Sequence, residues 1–372
     1  MTLLAWLALA LALLPAVTAA VNLVVLRPPR PATGEDLVSI LIPARNEAAN
    51  LGPTLAAALA STGTPVEVVV ADDHSTDGTP EIVADLAARD PRLRLVAVPA
   101  LPPGWTGKNH ACHVLAGAAR GRHLLFIDAD VRLAPHAAAA LAGEATRRGA
   151  ALVSGVPRQV TASPGERLTV PTINLLLLGY LPVPLMRRRP HDPSLGTACG
   201  QLVLIAADAY RATGGHGAIR AGLHDGVQLP RVFRRAGLRT DLVAGAGLAE
   251  CRMYDGFAPA WAGFSKNAHE GLATPRALPV WTLLLAGGHL LPILVSAAAL
   301  AGAAPAGPAF AALALSFGTR TAITVAARED WRTIPLHPAI VAVALALQWN
   351  ALLRPRRAGV AQWKGRTYPV SD

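Results

Sequence analysis

Charge, lysine, cysteine and aromatic residues are all scarce in this 372-residue chain. Charged residues make up 16%, where a soluble domain has about 25%. With 52% hydrophobic residues and a mean hydropathy of +0.37, this excludes a disordered chain and an ordinary soluble enzyme. The three cysteines, Cys112, Cys199 and Cys251, lie far apart without a CxxC pair. That excludes a disulfide framework and a thiolate zinc site. Lysine occurs only at Lys108, Lys266 and Lys364, so the net charge of +10 rests on arginine. A positive balance suits anionic headgroups, phosphorylated substrates or nucleic acid. Aromatic residues are 5% of the chain and no recognition motif occurs, so nucleic acid is not expected as a partner.

The apolar surplus falls at the two ends. Leu3–Leu26 carries no charge and is long enough to span a bilayer. No basic residue precedes it and Arg27 and Arg30 follow it, which puts the N-terminus outside and the rest in the cytoplasm. A cleaved signal peptide is the alternative, but its basic opening is missing. The second zone holds three candidate spans: Leu278–Ala301, Gly307–Ala327 with Arg320 inside it, and Ile334–Leu353. Three crossings from the cytoplasm would leave the C-terminus outside, whereas Arg354, Arg356 and Arg357 argue for inside. One stretch is therefore expected to be re-entrant or interfacial, either the one broken by Gly287–Gly288 or the one carrying Arg320.

Between these zones, residues 36–275 read as one α/β domain. Strands are expected at Leu37–Pro43, Val66–Ala71, Leu93–Val98 and His123–Ile127, with helices at Asn50–Ala60, Thr79–Arg89, Lys108–Ala119 and Pro135–Arg147. That alternation predicts a doubly wound, mostly parallel sheet, whose ligands bind at the carboxyl ends of its strands. The first strand runs into Pro43-Ala44-Arg45-Asn46-Glu47, a plausible nucleotide-contact loop. The second ends in Asp72-Asp73-His74-Ser75-Thr76-Asp77-Gly78-Thr79. There Asp73 is expected to contact a ligand, whereas Thr76 and Asp77 suit helix capping. HLLFI ends in Asp128-Ala129-Asp130. Two carboxylates at the end of a buried strand need pairing or a cation, and Mg²⁺ or Mn²⁺ shared with substrate phosphates is the usual solution.

A Gly-rich loop, Pro102–Asn109, sets Lys108 at the start of a helix, where a phosphate could lie. It lacks the first Gly and the Ser or Thr of a Walker A loop, so a P-loop NTPase is not expected. Asp225, in Gly222-Leu223-His224-Asp225-Gly226, either caps the next helix or serves as a general base. Leu168–Met186 is apolar, is interrupted by prolines 171, 182 and 184, and is followed by Arg187-Arg188-Arg189. It is expected either to be core or to lie at the membrane surface over about 168–189, its arginines against lipid phosphates and a lipid acceptor passing along it.

PARNE, ADDHSTDGT, GWTGKN, DAD, the Gly200-Gln201 segment, GGH and HDG occur in the order and spacing of family 2 glycosyltransferases, which the chain resembles over about 36–275. RMY at 252–254, WAGFSKN at 261–267 and WKGRTY at 363–368 look like the membrane-bound subgroup that glycosylates carotenoids and related polyisoprenoids. The resemblance implies a GT-A fold, a nucleotide-sugar donor (UDP- or GDP-linked), a divalent cation and inversion at the anomeric carbon. It assigns Pro43, Arg45, Glu47 and Asp73 to the nucleotide, Asp128 to the donor ribose or sugar and beside the metal, Asp130 to the metal, and Asp225 as base. Many relatives have Glu-Asp or Asp-Asp where His224-Asp225 stands here, and the Gln-x-x-Arg-Trp of processive synthases is missing. Single transfers are therefore expected rather than polymer synthesis. Glycosidases need two carboxylates flanking the bond and no metal–diphosphate apparatus.

The expected organisation is a membrane helix over 1–27, a GT-A domain over 36–275, membrane or re-entrant helices over 278–353 and a basic tail over 354–372. The expected protein is a multi-pass cell-membrane enzyme, catalytic on the cytoplasmic side, that moves one sugar to the hydroxyl or carboxyl of a lipid. Hopanoid, polyprenyl phosphate or diacylglycerol acceptors are alternatives, as is a non-catalytic scaffold with a degenerate transferase domain.

Overall fold

The computed structural model describes residues 1–353, with Asn267 by its backbone alone, and the backbone of 360–363 and 366–369. Val360–Trp363 and Arg366–Pro369 form an antiparallel pair, and the rest of the basic tail expected over 354–372 lies outside the described residues. The chain divides into two compact units at other places than the sequence suggested. One holds Arg27–Arg158 and Leu185–Cys251; the other holds Met1–Leu26, Gln159–Pro184 and the segment that begins at Arg252. Residues 159–184 and 252–275 thus group with the apolar helices.

The first unit is built on a seven-stranded sheet. Its first four strands are β1 (Val38–Ala44), β2 (Val66–Asp72), β3 (Leu93–Ala97) and β4 (His123–Ile127). After β5 (Val131–Leu133) come β6 (Leu152–Gly155), the two-residue β7 (Arg158–Gln159), β8 (Leu202–Ala206), β9 (Thr240–Val243) and β10 (Ala249–Cys251). The order across the large sheet is β3-β2-β1-β4-β8-β6-β9. β1 lies parallel to β2 and β4, with Ile40 opposite Val68 and Leu125, and all three strands are buried on both faces. Continuous β-branched and leucine runs suit that position, since helices cover both sides of a parallel sheet. β8 departs from the doubly wound pattern and runs antiparallel to β4 and β6. The sheet is therefore mixed, though mostly parallel.

Side-chain hydrogen bonds fix the loops at the carboxyl ends of β1 and β2. The backbone N–H groups of Asn46, Glu47 and Ala48 donate to Ser75 Oγ, Thr79 Oγ1 and Asp77 Oδ2 at 2.9, 2.9 and 3.0 Å. Thr76 N–H donates back to Asn46 Oδ1 at 2.8 Å. Asp77 also accepts from the Thr79 N–H at the start of helix Thr79–Ala87, which gives it the capping role expected of it.

The second unit is helical. Thr2–Val25, Ala277–Leu300 and Ala306–Ala326 are long and apolar enough to cross a membrane, while His337–Leu353 has only 17 residues. Ala5, Ala8 and Ala12 pack on Val295, Ala309 and Ala312, small residues that let the helices approach closely. Leu3, Trp6, Leu13, Val17, Val24 and Leu294 point outward and are exposed, a surface that water does not favour.

The two features that made spans doubtful have local explanations. Arg320 is fully buried, but it pairs with Glu329 and donates to Thr333 Oγ1 at 2.9 Å, so helix 306–326 stays continuous. Ala286–Leu290 is a π-helical turn. There a Cβ on Gly288 would lie 2.9 Å from the Leu11 carbonyl oxygen, so only glycine admits the crossing chain.

The proline-rich stretch breaks into helices Pro164–Thr169, Thr172–Tyr180 and Val183–Arg188. Helix 172–180 packs on helix 2–25, whose Asn22 Nδ2 donates to the carbonyls of Leu178 and Leu181 at 2.8 and 2.7 Å. Leu178 is buried there, and Leu176 and Leu177 are half-buried. Within the sheet unit, Arg187 turns inward to the buried Asp241 at 2.9 Å, while Arg188 and Arg189 are exposed.

Candidate active site

β4 places the first carboxylates. Its five residues are buried, and the chain turns sharply as it leaves the sheet, with Val131 N–H donating to the Asp128 carbonyl at 3.0 Å. Thr54 Oγ1 donates to the Ala129 carbonyl at 2.8 Å and pins the turn from the neighbouring helix. Asp128 and Asp130 are thereby held on a rigid support at the carboxyl end of a central strand.

Asp225 comes from another part of the sheet unit. It is the first residue of helix Asp225–Arg235, and its Oδ1 accepts the Gly226 N–H at 2.7 Å. The positive end of the helix favours its ionised form. Lys108, in the first turn of helix Gly107–Ala118, joins the two groups. Its Nζ lies 2.7 Å from Asp128 Oδ1 and 3.0 Å from Asp225 Oδ2. The sequence suggested a phosphate partner for Lys108; the structure sets it between two carboxylates.

Pro43, Lys108, Asp128, Gly200, His216 and Asp225 line one open pocket. Of the residues expected at the site, Pro43, Lys108, Asp128 and Asp225 meet in this pocket, and Asp130 stands two residues beyond Asp128. Arg45, Glu47 and Asp73 do not line it. Arg45 donates to the backbone carbonyls of Asp73 and His74, and Asp73 itself is buried.

The electrostatics separate the carboxylates by role. Burial opposes ionisation of Asp225, but the Lys108 ammonium outweighs it and holds the carboxyl well below the usual range. Burial, reinforced by the charges of Asp128 and Glu47, pushes Asp130 up to about 7. Asp128 moves the same way, because burial outweighs the attraction of Lys108. Asp130 Oδ1 is buried and accepts no hydrogen bond among the described residues. A buried acceptor left open beside further acidic groups fits a divalent cation. Among the described residues no cluster of three or more acidic, histidine or cysteine side chains could hold a metal. The aspartate pair suits Mg²⁺ or Mn²⁺ that draws its remaining ligands from phosphate and water.

Two supports were not legible as such. Gly200 lies against Asp225, where an added Cβ would stand 2.4 Å from its Oδ1. Gly200→Ala is therefore expected to displace the carboxylate and lower kcat by about 10²-fold, the scale of a 1 Å misplacement. Donor Kd should stay unchanged, and a variant with normal kcat would contradict this. The Gly214-Gly215-His216 turn brings His216 Nδ1 to 2.9 Å from the Tyr210 hydroxyl, and the Tyr210 ring stacks on Phe126 of β4. Burial pulls His216 down to about 4, so it sits neutral behind Asp225.

Comparison with known proteins bears on the family and the fold. Residues 39–210 match the family model Glycosyl transferase family 2. The 4,4'-diaponeurosporenoate glycosyltransferase of Staphylococcus haemolyticus is 28% identical over 242 residues, covering 64% of this chain and 63% of that protein. Its namesake in Staphylococcus aureus is 27% identical over 342 residues, covering 90% and 88%. Among solved structures, the mannosyltransferase PcManGT from Pyrobaculum calidifontis, in complex with GDP-Man and Mn²⁺, superposes with a TM-score of 0.57. That likeness covers 94% of this chain and 99% of the other at 21% identity, and it shows the GT-A fold. By its sheet, its family match and its named relatives, the chain carries a Glycosyl transferase family 2 domain over residues 39–210.

Proposed function

We propose that this enzyme is membrane-bound, inverts the anomeric carbon, and moves one sugar from a UDP- or GDP-linked donor to the hydroxyl or carboxyl of a polyisoprenoid, carotenoid-like lipid. The observation that carries the reading is the Lys108 bridge, which sets Asp128 and Asp225 around one open pocket. The donor diphosphate lies on the Asp128–Asp130 side, with Pro43, Arg45 and Glu47 supporting the nucleotide. Asp130 and Asp128 would hold a cation, which would neutralise the charge of the leaving diphosphate. Asp225 takes the proton of an acceptor hydroxyl as its oxygen bonds to the anomeric carbon and the bond to the diphosphate breaks; a carboxylate acceptor arrives already deprotonated. Attack from the face opposite the leaving group inverts the centre, and one base is enough.

The lipid part of the reading rests on the helical unit and on the named relatives. The alanine contacts place the N-terminus and the 301–305 connection at one end of the bundle. Arg276, Arg328 and Arg332 stand at the opposite ends of their helices, and the 301–305 connection has no charge. Three crossings, with the short helix 337–353 not crossing, put these arginines, Arg27 and the basic tail on the cytoplasmic side. This assignment removes the parity conflict.

The test incubates the purified full chain in lipid vesicles with an isoprenoid alcohol or carotenoid acid and, in turn, UDP-glucose, UDP-N-acetylglucosamine and GDP-mannose. We expect glycolipid from one donor with Mn²⁺ or Mg²⁺ and none with excess EDTA. Sugar appearing only on water-soluble acceptors, or transfer indifferent to EDTA, would overturn the reading.

A further inference from the structure

The chain that leads into Asp225 is tied to the helix that carries Lys108, by side chains the mechanism above does not use. Residues 219–222 form a turn in which Gly222 N–H donates to the Ile219 carbonyl at 2.8 Å. Asn109, in the first turn of helix Gly107–Ala118, reaches this turn. Its Nδ2 donates to the carbonyls of Ile219 and Gly222 at 2.7 and 2.9 Å, with the Arg220 carbonyl at 3.4 Å. Thr106 adds two bonds beside it, from N–H to the Arg220 carbonyl at 2.8 Å and from Oγ1 to the Gly222 carbonyl at 3.3 Å. Thr106 and Asn109 are both buried. They flank Lys108 in sequence, and Gly222 comes three residues before Asp225. The clasp thus joins the two stretches of chain whose side chains meet in the Lys108–Asp225 ion pair. Just after Asp225, the Gly226 carbonyl accepts the Ala198 N–H at 2.7 Å, so the backbone is held on both sides of the carboxylate.

We propose that Asn109 is a positioning residue that fixes where the Asp225 carboxylate stands; this rests on the reading of Asp225 as the base. A side-chain amide nitrogen carries two hydrogens, and here each finds a carbonyl of the same turn. Two bonds from one atom hold the turn against both sliding and rotation. Leucine has the bulk of asparagine but no donor, and aspartate would face the carbonyls with acceptors alone. An aspartate side chain has a single methylene, so its oxygens go where the backbone goes. Lys108 has a long stem and can follow a displaced carboxylate, but a substrate hydroxyl bound in the pocket cannot. A shift of the 219–225 backbone therefore acts on the proton-transfer geometry first, and a displacement of about 1 Å costs about 10²-fold in rate.

The test measures kcat for transfer to a lipid alcohol and donor Kd for Asn109→Leu, Asp225→Asn and the double variant of the full chain in lipid vesicles. Hydrogen–deuterium exchange is followed over residues 219–229 and over β1 and β4. Asn109→Leu is expected to lower kcat by about 10²-fold with donor Kd unchanged. Exchange should quicken over 219–229 while β1 and β4 keep their protection. Added to Asp225→Asn, the same substitution should cost little more, because no base is left to place. Thr106→Val, which removes only the bond from Oγ1, should give a smaller loss of kcat, again at unchanged donor Kd; it decides the question if Asn109→Leu does not fold. Unchanged kcat in Asn109→Leu overturns the proposal, as does an equal loss with and without Asp225, or exchange that quickens through β1 and β4 as well. Asp225→Asn separates the two readings. If it turns over like wild type, the base assignment itself fails. If it falls while Asn109→Leu does not, only the role of Asn109 fails.

Discussion

Asp225→Asn is expected to lower kcat by about 10²–10⁴-fold, the usual contribution of general-base removal, while leaving donor Kd nearly unchanged. An alcohol holds its proton far above neutral pH, so attack on the anomeric carbon needs a group that takes the proton as the bond forms. Asp225 is placed for that work. Its Oδ1 is fixed by the Gly226 N–H and its Oδ2 by Lys108, and the groups around it keep it ionised. Asparagine keeps the shape and one acceptor oxygen but cannot take a proton, and it gives up the charge that meets Lys108. The proposed nucleotide and metal contacts lie on other residues, so binding of the donor should survive. His224 stands at the N-cap of the same helix, and His224→Ala should cost far less. Measured kcat and donor Kd for both variants decide the matter. Wild-type turnover by Asp225→Asn, or a dead His224→Ala, would remove Asp225 from the role.

Asp130→Asn is expected to abolish metal-dependent transfer. A Lewis-acid cation is worth several kcal/mol of transition-state stabilisation, so the loss should reach about 10³-fold or more at roughly 1.4 kcal/mol per decade. The amide removes the anionic oxygen that stands open at the site, and it relieves the repulsion from Asp128 and Glu47 that now burdens the carboxyl. Tm should therefore hold or rise while activity disappears, a combination that a folding defect does not produce. Transfer near the wild-type rate with undiminished Mn²⁺ dependence would contradict the assignment.

Much of this was legible along the chain. β4 was expected at His123–Ile127 and lies there, because a run of buried apolar residues ended by two carboxylates admits few other readings. The alternation of strands and helices through residue 148 was visible for the same local reason, as were the long apolar helices at both ends. Asp77 was readable as a cap because its partners lie within a few residues or on the loop beside it.

What the sequence could not disclose depends on groups that are distant in the chain. Lys108 looked like a phosphate ligand because a helix start is visible locally, whereas its carboxylates at positions 128 and 225 meet it only when three elements close on one pocket. Arg320 looked like a fault in a membrane span until Glu329 and Thr333 arrived beside it. Asp73 looked open to a ligand, yet the folded loops bury it. By itself the sequence determined the elements, their alternation and the identity of the acidic groups, because hydrophobic period and strand-end chemistry are local properties. Only the tertiary structure decided which charges compensate one another, because the partner of a buried ion is set by proximity in space rather than along the chain.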